Sequence, residues 1–219
     1  MDSPDLAPAE YAAVLMDLAR VNRWTFTARP ALVFLRRALA SKPRPFSLLD
    51  VGFGSGDVLR AIARWAQKQG LDAQLVGVDL NHKSLEVARS ATPSELAIEY
   101  RAGDYMAQPE RFDFVISSQV AHHMSDDQLQ RFLEFMEERA RQGWLICDLH
   151  RHGFAYSGFP LLARLLRVHR IVREDGQLSI ARSFRPEEWQ SVLAAAGMPL
   201  TGIQVRRRFP FRLTIERLR

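Results

Sequence analysis

The sequence contains a single cysteine, Cys147, so no disulfide can form within the chain. Cys147 lies in the apolar run 144–149, and we expect it to be a small buried hydrophobic side chain. The first ten residues lack the basic start and apolar stretch of a secretory signal. A chain without internal disulfides is typical of a reducing compartment, so the sequence predicts a cytoplasmic protein.

Long apolar runs and lysine are also scarce. No segment approaches the roughly 20 consecutive apolar residues that span a membrane, so we expect no membrane span. Only three of the 30 basic residues are lysine. From Arg139 onward the chain has 15 arginines and six acidic residues, whereas the earlier part is acidic overall. Nonspecific surface charge explains this basic half most simply, although nucleic acid, an anionic membrane surface or an anionic substrate also fits it.

Strand-like and helix-like segments alternate through the middle of the chain. Strands are predicted at 46–51, 73–79, 96–101, 112–118 and 143–149, and helices at 57–69, 83–90 and 126–140, the last capped by Ser125. Two further helices, 9–29 and 31–39, precede a proline-rich break at 41–45. This alternation predicts one α/β domain over 1–219, a doubly wound, mostly parallel sheet with an N-terminal helical extension at 1–42.

The pattern changes after residue 149. Residues 154–172 predict one helix or a broken pair, 173–182 contain a turn at 174–176, and 186–196 predict a helix that stops at Gly197. Two strands, 202–208 and 211–217, flank Phe209-Pro210 and predict an antiparallel hairpin. We interpret 154–182 as a lid over a substrate pocket.

A glycine-rich turn follows the first strand. Asp50, Gly52, Gly54 and Gly56 form a D-x-G-x-G-x-G pattern that leads from the strand into a helix. Glycine allows positive φ and a close backbone approach to a ligand, and the helix start offers free N–H groups. The dinucleotide fingerprint G-x-G-x-x-G would need glycine at position 57, where Asp57 stands and would repel a pyrophosphate. The pattern resembles the first motif of the class I methyltransferases that depend on S-adenosylmethionine (SAM).

This resemblance implies a seven-stranded Rossmann-like sheet whose last strand is antiparallel, and SAM as the cofactor. It also implies that Asp79, at the end of the second strand, accepts both ribose hydroxyls. Asp104 would accept the adenine amino group. The remaining cofactor contacts that it implies are Leu80 and Tyr105 at the adenine, and Ser118 and Gln119 at the methionine part.

Methyl transfer to a phenol or an amine needs a base, and histidine is the usual one. Two histidines are candidates for this catalytic role: His123, in S-S-Q-V-A-H-H-M after strand four, and His150, in D-L-H-R-H-G after strand five. Each also suits a purely structural role in its loop. His82 and His169 are interpreted as surface residues. His122 and His123 are adjacent and point apart, so no metal site is expected.

The lid segment is apolar and rich in arginine. Its apolar side chains predict a roof for an aromatic or lipid-like acceptor, which Trp24 and Phe26 would close from the other side. Arginines recur every third residue at 164, 167, 170 and 173. They predict either the solvated face of an ordinary helix or contact with an anionic group or, peripherally, a membrane surface.

The sequence therefore predicts a methyltransferase for a small acceptor, with O-methylation slightly favoured over C-methylation. A nucleic-acid methyltransferase is the first alternative. Base amino-group methyltransferases carry an N/D-P-P-Y/F motif after strand four, but residues 117–120 read S-S-Q-V here. Cytosine C5 methyltransferases need a Pro-Cys nucleophile, but Ile146 precedes Cys147 here. Both observations disfavour this alternative. A non-catalytic SAM-binding protein is the second alternative.

Overall fold

A computed structural model of the chain describes residues 6–40 and 44–219. The predicted N-terminal extension, 1–42, therefore lies partly outside the described residues, as does most of the predicted break at 41–45. Within the described part of the chain, no helix is both long enough and apolar enough to cross a membrane.

Seven strands form one sheet in the order β3-β2-β1-β4-β5-β7-β6. The strands are β1 (Phe46–Val51), β2 (Ala73–Asp79), β3 (Ile98–Ala102), β4 (Phe112–Ser118), β5 (Ala140–Leu149), β6 (Ile203–Arg208) and β7 (Arg212–Leu218). The first five run parallel, and β7 inserts antiparallel between β5 and β6. The predicted seven-stranded fold is confirmed. Its topology brings the C-terminal ends of β1 to β5 and the start of β7 to one edge of the sheet.

Helices cover both faces of the sheet. They are α1 (Pro8–Trp24), α2 (Arg29–Ala38), α3 (Asp57–Lys68), α4 (His82–Ala91), α5 (Asp126–Arg139), α6 (Gly153–Leu165), α7 (Arg170–Arg182) and α8 (Pro186–Ala195). Phe34 of α2 and Ile62 of α3 belong to the core on one face, and Phe132 of α5 and Trp189 of α8 to the core on the other. Helices α1, α6 and α7 pack together through a smaller cluster that includes Val14, so they lie near one another above the strand ends.

Two expectations about local structure are corrected. The predicted turn at 174–176 is helical, since Gly176 lies inside α7 and gives the Phe159 ring of α6 room to pack against it. The helix predicted over 9–29 ends at Trp24, and Phe26 takes a φ of 54° in the turn that follows. The His169 side chain, predicted at the surface, is 37% exposed, and its Nδ1 accepts a hydrogen bond from the Ile171 N–H at the start of α7.

Other side-chain predictions hold. Ser125 caps α5 in a reciprocal capping box with Gln128. Cys147 is fully buried in β5, and this burial raises its thiol pKa to about 11. The Cys147 side chain is therefore a neutral hydrophobic group.

Candidate functional site

A cavity of about 720 Å³ lies at the carboxyl edge of the sheet. Strand ends form its floor, and parts of α1, α6 and α7, with the turn 209–211, form its walls and roof. The cavity is within the size range of small-molecule sites. Eight of the ten predicted cofactor residues line it: Asp50, Gly52, Gly54, Asp79, Leu80, Tyr105, Ser118 and Gln119.

Two glycines bring the backbone of the β1–α3 turn to the cavity. Gly54 has a φ of +52°, and a Cβ at this position would meet no atom within 4 Å, so its backbone faces open space. Gly52 has a φ of +79°, and a side chain there would overlap Val120. The Gly54 N–H donates to Asp79 at 2.9 Å, which fixes the turn to the end of β2. We call this turn the cradle, and a side chain at position 54 would occupy the open space beside it.

Gly56 has a packing role in the turn. It precedes α3 with a φ of +74° and is not among the described residues that line the cavity, although its neighbours Ser55 and Asp57 are. A Cβ at Gly56 would overlap the Tyr100 hydroxyl. The absence of a side chain at Gly56 therefore lets the turn pack on β3.

The Gly56→Ala variant is expected to lower the free energy of unfolding by more than Gly70→Ala does. Gly70 also has a positive φ, +64°, but a Cβ there would meet nothing within 4 Å. Both variants incur the roughly 1–2 kcal/mol cost of the left-handed conformation, and only Gly56→Ala adds the overlap with Tyr100. Urea denaturation of the two variants measures the difference, and equal destabilisation would contradict the packing role.

Three carboxylates make the cradle strongly acidic. Asp50 is buried, and its Oδ1 has no hydrogen-bond partner among the described residues. Burial, followed by repulsion from Asp57 and Asp79, raises the pKa of Asp50 well above its ordinary value. Burial also raises the pKa values of Asp57 and Asp79. An orphaned buried carboxylate beside two others favours a cationic ligand, which would compensate this charge.

Asp79 is held by two backbone groups. Its carboxylate accepts hydrogen bonds from the Gly54 and Asn81 N–H groups, both at 2.9 Å. The side chain therefore has a fixed orientation at the edge of the cavity. Leu80 beside it is largely exposed and lines the cavity mouth.

Asp104 and Tyr105, both predicted to contact the adenine, differ in their position relative to the cavity. Asp104 accepts a hydrogen bond from the Met106 N–H, caps the short 3₁₀ turn Tyr105–Ala107, and is not among the described cavity-lining residues. Tyr105 does line the cavity, and its ring packs edge-on against Phe132 and Phe135. The capping hydrogen bond of Asp104 uses its Oδ1 atom.

The two histidines predicted as bases have different positions. His123 is exposed and lines the cavity. His150 is buried and is not among the described lining residues, although its neighbour Leu149 is. Burial, with a further contribution from Arg207, lowers the pKa of His150. The role of His150 as a base stays a prediction.

A third histidine, His122, is better placed than either. Its Nδ1 lies 2.7 Å from Oδ1 of Asp148, and its backbone N–H donates to Oδ2 of the same carboxylate at 2.9 Å. The ring is buried and lines the cavity, and its Nε2 has no partner among the described residues. A carboxylate that holds Nδ1–H leaves Nε2 as a hydrogen-bond acceptor, which is the arrangement of a general base.

Sequence reasoning missed this pair because Asp148 lies 26 residues beyond His122 on a neighbouring strand. The sequence alone does not distinguish His122 from His123. The sequence feature that points to the pair is the acidic residue Asp148 inside the apolar run of β5.

A polar network crosses the cavity floor. Gln119 has a φ of 61°, and its Nε2 donates to Oδ1 of Asn22 at 2.9 Å. The Thr27 hydroxyl donates to the same Asn22 oxygen at 3.1 Å and accepts from Arg212 at 2.6 Å. The network links the end of β4 to α1 and to the start of β7. Asn22 and Arg212 both line the cavity and were not identified from the sequence.

The roof of the cavity is apolar. Phe154, Phe159 and Leu162 of α6 line it, and Trp24 and Phe26 close it from the other side, both at least half exposed. The arginine repeat does not form one helical stripe, since its members lie on α6, on α7 and on the segment between them. Arg170, for example, pairs with Glu174 at 3.1 Å on the surface of α7.

Comparison with known proteins identifies relatives of the chain. Residues 48–143 match a family model described as a methyltransferase domain. The chain is 32% identical over 171 residues to a ubiquinone biosynthesis O-methyltransferase of Brucella anthropi, covering 72% of this chain. It is also 32% identical over 176 residues to the enzyme of that name from Chelativorans sp., covering 75% of this chain. The chain spans 63% and 64%, respectively, of the length of these relatives.

Solved structures share the fold at low sequence identity. A SAM-dependent methyltransferase from Aquifex aeolicus aligns with a TM-score of 0.62 at 16% identity, covering 98% of this chain and 99% of its own. Human N-acetylserotonin methyltransferase, crystallised with SAM, aligns with a TM-score of 0.66 at 16% identity, covering 97% of this chain and 56% of its own. Magnesium protoporphyrin IX methyltransferase from Synechocystis, with bound S-adenosylhomocysteine, aligns with a TM-score of 0.59 at 13% identity, covering 99% and 89%.

Proposed function

We propose, from its similarity to class I SAM-dependent methyltransferases, that the chain is a member of this family and transfers a methyl group from SAM to an oxygen atom of a small aromatic or apolar acceptor. The observation that carries the proposal is the acidic glycine cradle. Asp50 and Asp79 flank a turn whose Gly54 backbone faces open space, and all three residues line one cavity.

The residues of the cradle fit SAM chemically. SAM supplies a methyl group already activated on a positively charged sulfur. The buried Asp50 carboxylate, with its orphaned oxygen, would compensate positive charge in the cofactor, and the fixed Asp79 carboxylate would accept the ribose hydroxyls. Gly52 and Gly54 would lie against the amino-acid part of the cofactor, beside Ser118 and Gln119.

His122 is the base in this proposal. Nucleophilic attack by a hydroxyl group requires removal of its proton, and His122 lines the cavity with its buried Nε2 left as an acceptor. Asp148 holds the opposite ring nitrogen and stabilises the imidazolium that forms when the proton moves. His123 lines the same cavity but is exposed, so its ring would be less well shielded from water.

Two observations favour a small, largely apolar acceptor and an oxygen nucleophile. The roof formed by Phe154, Phe159 and Leu162 offers aromatic and aliphatic contacts to an acceptor. The curated relatives are named as O-methyltransferases.

Incubation of the purified protein with methyl-labelled SAM and a bacterial metabolite extract is expected to label a small apolar product. Mass spectrometry of the labelled fraction would identify the acceptor, and acid or mild base treatment would distinguish an ester from an ether. Boiled protein is the control. Label found only in RNA, or tight binding of S-adenosylhomocysteine (SAH) without any transfer, would contradict the proposal.

A further inference from the structure

One buried charge in the cavity is not needed by the proposed chemistry. Arg212, the first residue of β7, is 2% exposed and lines the cavity. Its Nη2 donates to the hydroxyls of Thr25 and Thr27, at 2.7 and 2.6 Å. Its Nη1 is buried without a hydrogen-bond partner among the described residues.

Burial alone makes this arrangement unfavourable. Burial lowers the pKa of Arg212, yet a guanidinium remains charged in proteins. No carboxylate of the described residues pairs with it at ion-pair distance, and Asp148 and Asp57 act on it only through longer-range attraction. A buried charged donor that lacks a partner is costly unless a ligand supplies one. Arg212 therefore has the properties of an anion-binding group.

The position of Arg212 in the sheet separates it from the cofactor cradle. Arg212 pairs with Leu149 at the end of β5, whereas the glycine turn follows β1. β4 and β5 lie between β1 and β7, so the two strands are three spacings, roughly 14 Å, apart. The carboxylate of Asp148, which holds His122, belongs to the intervening β5. The backbone of Arg212 is thus three strands from the glycine turn, and its partner Leu149 on β5 also lines the cavity, so the Arg212 side chain enters the cavity from the β5 and β7 side.

We propose that Arg212 binds a carboxylate of the acceptor, which makes the substrate an apolar or aromatic hydroxy acid. This inference rests on the proposed function. The free N–H groups of Nη1 form charge-assisted hydrogen bonds to the carboxylate, and the apolar roof covers the rest of the molecule. The anchored acid group then orients the acceptor so that its hydroxyl faces His122.

The polar network gives Arg212 a fixed direction. Thr25 and Thr27 hold Nη2 on one side, and Thr27 is itself bound to Asn22. Because these partners are neutral hydroxyls, they orient the guanidinium without neutralising it. Among the described residues, the guanidinium charge therefore remains uncompensated.

The test is titration calorimetry of the SAH-loaded protein with the three monohydroxybenzoates and the three matching hydroxybenzamides. In the wild-type protein, at least one acid is expected to bind about 10-fold to 100-fold more tightly than its amide, the range of a charge-assisted hydrogen bond. Arg212→Gln is expected to remove this preference. Arg208→Gln is the matched control, since Arg208 belongs to the same hairpin but pairs with Glu216 and is not among the described lining residues.

Absence of any acid preference in the wild-type protein, undetectable binding included, overturns the inference without needing a variant. A loss of SAH affinity in folded Arg212→Gln that matches the loss of acid affinity also overturns it, because Arg212 would then hold the carboxylate of the cofactor. Failure of the wild-type protein to bind SAH would instead overturn the proposed function. Arg212→Lys, which keeps the charge, should retain part of the acid preference if Arg212→Gln does not fold.

Discussion

Replacement of Asp79 by alanine is expected to weaken SAH binding by roughly 100-fold or more. Two charge-assisted hydrogen bonds to the ribose would be lost, each contributing about 1.5–3 kcal/mol. The same change removes the acceptor of the Gly54 N–H, so the glycine turn would lose its connection to β2 as well. Both losses act in the same direction, which makes this the most damaging single substitution for cofactor binding.

Titration calorimetry with SAH measures the effect, and circular dichroism confirms that the variant is folded. Asp104→Ala is the matched control. Asp104 is also a carboxylate just beyond a strand end, but it caps a 3₁₀ turn and is not among the described cavity-lining residues. We expect its SAH affinity to remain within a few-fold of the wild-type value. Wild-type affinity in Asp79→Ala would remove the cradle as the cofactor site.

Replacement of His122 by alanine is expected to lower the methyl-transfer rate by about 10²-fold to 10⁴-fold, the usual contribution of a general base. SAH affinity should stay nearly unchanged, because no role in cofactor binding is assigned to His122. Added imidazole should restore part of the activity by entering the space that the ring leaves. The measurement is single-turnover transfer of labelled methyl to the acceptor identified in the extract experiment.

His123→Ala is the control for this variant, because the two histidines are neighbours and both line the cavity. It should change the rate only a few-fold. Asp148→Asn should lower the rate less than His122→Ala does, since it misorients the ring without removing it. A large loss in His123→Ala with normal activity in His122→Ala would reassign the base to His123, as one of the sequence-based hypotheses had it.

Much of the fold could be predicted from local patterns. Strands β1, β2 and β4 match their predicted bounds, because each is an apolar run enclosed by breaking residues. Gly176 misled the prediction because glycine permits a turn and also permits close helix packing, and only the neighbouring Phe159 ring distinguishes the two. Phe159 belongs to another helix, so the residues near Gly176 in sequence do not indicate this contact.

The candidate cofactor cradle could be predicted from sequence, whereas the proposed catalytic pair could not. Asp50, Gly54 and Asp79 each follow or end a strand, and parallel strands bring such ends to one edge. The choice of His122 over His123 depends on which ring faces Asp148 of the adjacent strand. The role of His150 as a base stays a prediction, and the structure shows it buried and not among the described lining residues.

The sequence by itself determined the fold class and the residues of the glycine turn, because strand periodicity, helix caps and positive-φ glycines are local properties of the chain. The tertiary structure alone decided which buried charges share the cavity. The unpaired Arg212 guanidinium and the His122–Asp148 pair depend on the register of β7 against β5 and on the packing of α1 over the strand ends. These contacts join segments from 26 to 187 residues apart, and no local pattern encodes such distances.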